Sequence, residues 1–119
     1  MSIAAPDLKE DSRGEEAQVS VVLPVYNESG NLRPLARELS KVLDKQYDHW
    51  EVFFVDDGST DGSYEVLREI HEDDDRFRVI RLRGNFGQSP ALDAGLDYAT
   101  GEVIVTMDSD GQNDPADIP

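Results

Sequence analysis

Cysteine is absent from the 119 residues, which excludes disulfides, thiolate zinc sites and a cysteine nucleophile and fits a reducing compartment. Basic residues are few, 11 Lys and Arg against 26 Asp and Glu. The resulting net charge of -15 would repel a polyphosphate backbone over the whole surface, so nucleic acid is excluded as a partner. No apolar run approaches the ~20 residues needed to span a bilayer, and Met1 to Glu16 lack the basic start and apolar stretch of a signal peptide. The expectation is a soluble cytoplasmic protein. Neither a Walker-type glycine-rich phosphate loop nor a GxGxxG fingerprint occurs, so a nucleotide would have to be held by other devices. Length excludes a two-domain enzyme and leaves room for one modest core. Asp exceeds Glu by 16 to 10 and Arg exceeds Lys by 8 to 3, a balance that a salt-rich cytoplasm tolerates because salt screens self-repulsion.

What is present is a regular alternation. Residues 1–18 carry Pro6, Gly14 and several carboxylates with few large apolar groups, and read as a flexible acidic tail that cannot offset its ordering entropy. The domain is expected over 19–119. Val19 to Val25 (VSVVLPV) has the near-continuous β-branched pattern of a strand covered on both faces. Leu32, Leu35, Ala36, Leu39, Val42 and Leu43 then recur at helical spacing, with Pro34 expected in the first turn. The cycle repeats with strands at 51–55, 77–82 and 102–107 and helices around Tyr64 to Ile70 and Ala91 to Ala99. Ser59 or Thr60 is expected to cap the second helix and Gly101 to end the third. Repeated βαβ units predict an α/β fold, a mainly parallel sheet with helices on both faces and the first strand between the second and fourth.

In such a sheet ligands bind outside the carboxyl ends of the strands, and here each polar cluster follows a strand. Tyr26-Asn27-Glu28, Asp56-Asp57-Gly58-Ser59 and Asp108-Ser109-Asp110 should converge on one edge. Carboxylates gathered there repel one another unless a cation or hydrogen-bond donors sit among them, which points to a ligand. The single-residue spacing of Asp108 and Asp110 lets one carboxylate reach a hard divalent cation, Mg2+ or Mn2+, while the other meets a sugar hydroxyl or a second metal position. The competing reading is a solvated acidic turn shaped by Asn113 and Pro115. Asp57, beside Gly58, offers an acceptor where backbone can approach a ligand, and the same residues also suit a plain capped turn. His49 and His71 are expected at the surface, Trp50 in the packing, and Glu72 to Asp75 at a solvated helix end.

Taken together, LPVYNESGNL, VDDGSTDGS and RGNFGQSPALDAGLDYATGEVIVTMDSDGQNDPADIP resemble the amino-terminal half of a family 2 glycosyltransferase, in particular the dolichol-phosphate mannosyltransferase and polyprenyl-phosphate glycosyltransferase group. The resemblance runs from Val19 to Pro119. It implies a GT-A fold, a nucleotide-diphosphate sugar such as GDP-mannose or a UDP-sugar as donor, a divalent cation at a DxD-type motif, and inverting transfer of a hexose. The acceptor it implies is a polyprenyl phosphate at the cytoplasmic face of a membrane. By position, it assigns Pro24, Tyr26, Glu28, Val55 and Asp57 to nucleotide binding, with Asp57 on the base or ribose side. Asp108, Ser109, Asp110 and Gln112 match the segment meeting the diphosphate and sugar, Asp108 and Asp110 at catalytic positions and Asp110 and Gln112 at metal-ligand positions. Two departures stand out: Gly111 where the family usually has leucine, which loosens the metal loop, and Gln88-Ser89-Pro90 as a variant of the loop after Asn85-Phe86-Gly87. Family catalytic domains continue well beyond this length, so the chain reads as a fragment ending after the fourth strand, inactive alone.

Two other classes fit the composition. A phospho-receiver signalling domain shares the length and clustered aspartates, but needs its acidic pair after the first strand and a lysine after a late one. Here the pair follows the second strand, and Lys9, Lys41 and Lys45 all precede it. A non-catalytic nucleotide-sugar binding module is the remaining alternative.

Overall fold

The apolar runs become strands because their alternate side chains meet cover on both sides of one sheet. The computed structural model describes residues 17–84 and 87–107. Its elements are β1 (Val19–Val25), α1 (Ser29–Gln46), β2 (Trp50–Asp56), α2 (Ser63–Asp73), β3 (Phe77–Arg81), α3 (Gln88–Tyr98) and β4 (Val103–Thr106). All pairings are parallel and the strand order is β3-β2-β1-β4. The expected sheet, with the first strand between second and fourth, is what forms. In this order β1 does not touch β3, whereas the receiver topology places its first strand between the second and third; the receiver alternative falls.

Strand parity sorts the core into two halves. Val19, Val21, Leu23, Val52, Phe54, Phe77 and Val79 face α1 and α2, whose Leu32, Ala36, Leu39, Leu43, Leu67 and Ile70 lie on them. Val22, Phe53, Val55 and Ile80 face the other way, under Ala91 and Ala94 of α3. Trp50 packs as expected, edge-on to Phe77, with its Nε1 donating to Asp44 at 2.9 Å. Gly95 lets α3 lie directly on the sheet, since a Cβ there would come within 2.3 Å of Val22 Cγ1. β1 and β2 are buried throughout, while Val103 and Ile104 on the edge strand β4 are 44% and 45% exposed.

On the α3 face, at the amino-terminal ends of the strands, sits a buried polar cluster. One Glu51 oxygen accepts the Ser20 hydroxyl at 2.6 Å and the Thr100 amide and hydroxyl at 2.8 and 3.0 Å. The Arg78 Nε lies 3.9 Å from the other oxygen. Gly101 donates its N–H to Ser20 Oγ at 2.8 Å, and a Cβ on it would meet the Ser20 nitrogen at 2.5 Å. Gly101 is therefore a close-approach glycine and not a helix end; α3 stops at Tyr98 with Ala99 as its C-cap.

Several local expectations are corrected. Helix α1 starts at Ser29, so Pro34 falls in its second turn, where the missing N–H would have reached the Gly30 carbonyl. The N-cap of α2 is Gly62, at φ 91, because Ser59 and Thr60 are engaged with the neighbouring loop. His71 is buried, its Nδ1 lying 2.6 Å from the Phe77 carbonyl, to which it donates. His49 and most of the Glu72 to Asp75 run are exposed as read, though Asp74 is half-buried and forks with Arg76. Residues 1–16 of the tail lie outside the described residues.

Candidate functional site

The strand order reverses beside β1, which puts the switch point of the sheet at the carboxyl ends of β1 and β4. At that edge the Asp57 N–H donates to the Val25 carbonyl at 2.8 Å and the Met107 N–H to the Val22 carbonyl at 3.1 Å. Val22 thus points its carbonyl at β4 and Val25 points its carbonyl toward β2. Pro24 shares the parity of Val22 and lies beyond the last β1–β4 register pair, Val22 with Thr106.

The loops after β1 and β2 are stitched together by side chains. Asn27 adopts a left-handed φ of 53, which asparagine tolerates better than most residues. Its N–H donates to Ser59 Oγ at 3.0 Å, and its Oδ1 accepts the Thr60 N–H at 2.8 Å. The Glu28 N–H donates to Ser63 Oγ at 3.0 Å, and that hydroxyl donates in turn to Asp61 Oδ1 at 2.5 Å. Asp61 also takes the N–H groups of Ser63 at 3.0 Å and of Ser29 at 3.2 Å. The Ser63 hydroxyl above all, with these amides, holds the Asp61 carboxyl down to about 2.

Of the residues assigned to nucleotide binding, the described ones divide into two kinds. Tyr26 is 45% exposed at the loop's start, and Glu28 is half-buried with its Oε2 accepting Asn31 Nδ2 at 2.7 Å. Asp57 is 4% exposed, and its Oδ2 accepts the Gly87 N–H at 2.9 Å, tying in the loop after β3. These three share the edge. Pro24 and Val55 lie in the strands, with the Val55 side chain packed under α3. Asp108, Ser109, Asp110 and Gln112 lie outside the described residues. Among the described residues no three carboxylate or histidine side chains gather as a metal site.

Three residues that the sequence reading left unassigned shape this edge. Asp61 and Ser63 belong to the second DGS of VDDGSTDGS, and that repeat is the one signal that marks them. Asp56 is fully buried on the α2 face; its Oδ1 accepts the Ser59 N–H at 3.2 Å, and its Oδ2 has no hydrogen-bond partner among the described residues and lies 3.9 Å from Arg81 Nε. Burial pushes its carboxyl up from 3.8. The Arg81 guanidinium in turn lies over the Tyr64 ring at 4.1 Å.

The model of "Glycosyl transferase family 2" matches residues 20–119. The chain belongs to this family. It is 39% identical over 106 residues to the dodecaprenyl-phosphate galacturonate synthase of Rhizobium johnstonii, covering 88% of this chain and 31% of that protein. It is 40% identical over 103 residues to the undecaprenyl-phosphate 4-deoxy-4-formamido-L-arabinose transferase of Salmonella choleraesuis, covering 86% of this chain and 32% of that one. Among solved structures, the mannosyltransferase PcManGT of Pyrobaculum calidifontis, in complex with GDP-Man and Mn2+, superposes with a TM-score of 0.62 at 30% identity, over 90% of this chain and 31% of that one. S. aureus TarS in complex with UDP-GlcNAc gives 0.62 at 31% identity, over 78% and 26%. The chain spans about a third of the length of the curated relatives it matches. The parallel sheet and its neighbours accord with the expected GT-A class. Among the described residues no helix is long and apolar enough to cross a membrane.

Proposed function

We propose that the chain is the donor-binding part of a glycosyltransferase that moves a hexose from a nucleotide-diphosphate sugar to a polyprenyl phosphate presented at a membrane. The observation that carries this reading is the convergence of Tyr26, Glu28 and Asp57 on one sheet edge in a family 2 chain whose relatives are named for polyprenyl-phosphate substrates. Tyr26 supplies an exposed aromatic face for a base, and Asp57 a carboxylate acceptor for nucleoside N–H or hydroxyl groups. In the reaction, an acceptor phosphate oxygen bonds to the anomeric carbon as that carbon's bond to the donor phosphate oxygen breaks. The electron pair leaves with the nucleoside diphosphate, and the sugar inverts. A phosphate nucleophile is already anionic, so it needs no strong general base.

Asp110 and Gln112 carry the hard oxygen donors that suit Mg2+ or Mn2+, and in sequence they follow closely on Met107, whose N–H donates to the Val22 carbonyl. A bound cation would offset charge on the departing diphosphate. The test is calorimetric titration with UDP and GDP, with and without Mn2+. One of the nucleotides should bind, and Asp57→Ala should weaken it by about 1.5–3 kcal/mol, the worth of a charge-assisted hydrogen bond, in both conditions. Asp110→Ala should abolish the Mn2+ enhancement and spare metal-free binding. Absence of binding by either nucleotide would overturn the proposal.

A further inference from the structure

Resting on that reading of the edge, we propose that Asp61 and Ser63 are positioning residues of the donor site, holding the β1–α1 loop so that Tyr26 and Glu28 keep their place at the sheet edge. Neither residue was assigned a ligand contact, and the geometry explains what they do instead. A loop that follows a strand directly, with its second residue at φ 53, has no ladder of its own to fix it. Its amides are satisfied from the β2–α2 loop and the first residue of α2: Asn27 by Ser59, Glu28 by Ser63, Ser29 by Asp61. The Ser63 and Asp61 contacts form one relay. The Glu28 N–H enters Ser63 Oγ, the Ser63 hydroxyl passes to Asp61, and the other Asp61 oxygen returns to the Ser29 N–H.

The relay therefore clamps two successive peptide groups, at the junction where the loop becomes α1. Ser63 is fully buried and has few alternative partners, whereas Asp61 is exposed and can be replaced without opening the core. The low carboxyl value of Asp61 accords with a relay that holds its charged form. Loss of the clamp leaves the Glu28 and Ser29 amides to water and the loop free to adopt other conformations. A ligand would then have to reorder it on binding, which lowers affinity without touching any contact atom.

The experiment compares Asp61→Ala, Asp61→Asn and Ser63→Ala with wild type in three measurements on the whole chain: amide hydrogen exchange at Asn27, Glu28 and Ser29, affinity for UDP and GDP, and melting temperature. Asp44→Ala is the control, since Asp44 holds Trp50 Nε1 and Arg76 near the amino-terminal end of β2. Asp61→Ala should accelerate exchange at Glu28 and Ser29 and weaken the bound nucleotide roughly tenfold. Asp61→Asn, which keeps one acceptor oxygen, should fall between, and Ser63→Ala should reproduce the loss at Glu28. Asp44→Ala should lower the melting temperature at least as much while leaving affinity within about twofold of wild type. Unchanged exchange at Glu28 and Ser29 in Asp61→Ala overturns the clamp. Accelerated exchange with undiminished affinity overturns its role in donor binding while leaving the donor site standing. Failure of wild type to bind either nucleotide overturns the donor-site reading itself, and this role with it.

Discussion

Replacing Glu51 by alanine should be among the most damaging single changes in this chain. The carboxylate is 1% exposed, and one of its oxygens collects three donors, from the Ser20 hydroxyl and from the Thr100 amide and hydroxyl. Thr100 is exposed, so its two donors can turn to water when the acceptor goes. Ser20 is fully buried and cannot, which leaves an orphaned hydroxyl at about 1–3 kcal/mol. Arg78, also buried, loses the carboxylate 3.9 Å away, and removing one member of a buried pair costs about 3–5 kcal/mol. These contributions overlap, so the expected total is about 3–5 kcal/mol. For a domain near this size that corresponds to a fall in melting temperature of at least about 12 °C. Urea unfolding at neutral pH measures it directly through the midpoint at constant slope. A companion pair sharpens the test: Glu51→Leu with Arg78→Met should be less destabilised than Glu51→Leu alone, because the second change removes the buried guanidinium that has lost this carboxylate. A loss below about 1 kcal/mol in Glu51→Ala, or no relief in the double variant, would refute the reasoning.

Two further outcomes follow from packing and from titration. Gly101→Ala puts a methyl 2.5 Å from the Ser20 nitrogen and Gly95→Ala one 2.3 Å from Val22 Cγ1, so both should cost about 1–3 kcal/mol in the same unfolding assay, with Gly101→Ala the worse because backbone yields less than a side chain. Asp61 and Asp56 should pull the pH profile in opposite directions. The depressed Asp61 carboxyl stabilises the fold above 3.8 and loses that contribution as pH falls toward about 2, while the raised Asp56 carboxyl favours the folded state at low pH and loses its contribution as pH rises above 3.8. Stability measured from pH 2 to 7 should therefore show a shallower low-pH limb in Asp61→Asn, Asp44 still contributing to it, and a shallower fall above 3.8 in Asp56→Asn; unchanged profiles would remove those assignments.

The strands were legible because VSVVLPV and EVFFV have no polar face to show, and a segment of that length without one has to be covered on both sides. The repeated βαβ units announced a parallel sheet, and its order rested on placing the switch point beside the first strand. What escaped was decided by contacts between distant segments. Ser59 or Thr60 could have capped α2, and the choice of Gly62 depended on Asn27, more than 30 positions earlier, having taken both. Gly101 looked like a helix terminator because nothing nearby in the chain announces that Ser20 will lie against it. His71 carries no local sign of burial either, since its partner is a main-chain carbonyl on the next strand. At the site, the positions of Tyr26, Glu28 and Asp57 were readable from motifs at strand ends, whereas Asp61 and Ser63 act through the backbone of another loop and leave only a repeated tripeptide as a trace.

The same contacts change the argument for a cation. Carboxylates crowding a sheet edge suggest a metal from sequence, yet the described ones are met by N–H donors: Asp56 by Ser59, Asp57 by Gly87, Asp61 by Ser29 and Ser63, Glu28 by the Asn31 amide. Crowding here is reconciled by amides, so the clustering does not by itself require a cation. Their negative charge nevertheless stays at the edge, and it acts on whatever approaches. A nucleoside is neutral and meets no penalty, but a diphosphate brings two or more further negative charges toward four carboxylates. If Asp110 and Gln112 hold a divalent ion beside this edge, its benefit should fall on the diphosphate alone. Mn2+ should then strengthen binding of UDP or GDP by about tenfold or more while leaving uridine or guanosine unchanged, in matched titrations at constant ionic strength so that screening is held fixed. Equal Mn2+ enhancement for nucleoside and nucleotide would mean that the ion acts on the protein and not on the diphosphate. No enhancement for either would mean that the edge accommodates a diphosphate through its own N–H and guanidinium groups, and the metal assignment to Asp110 and Gln112 would be withdrawn.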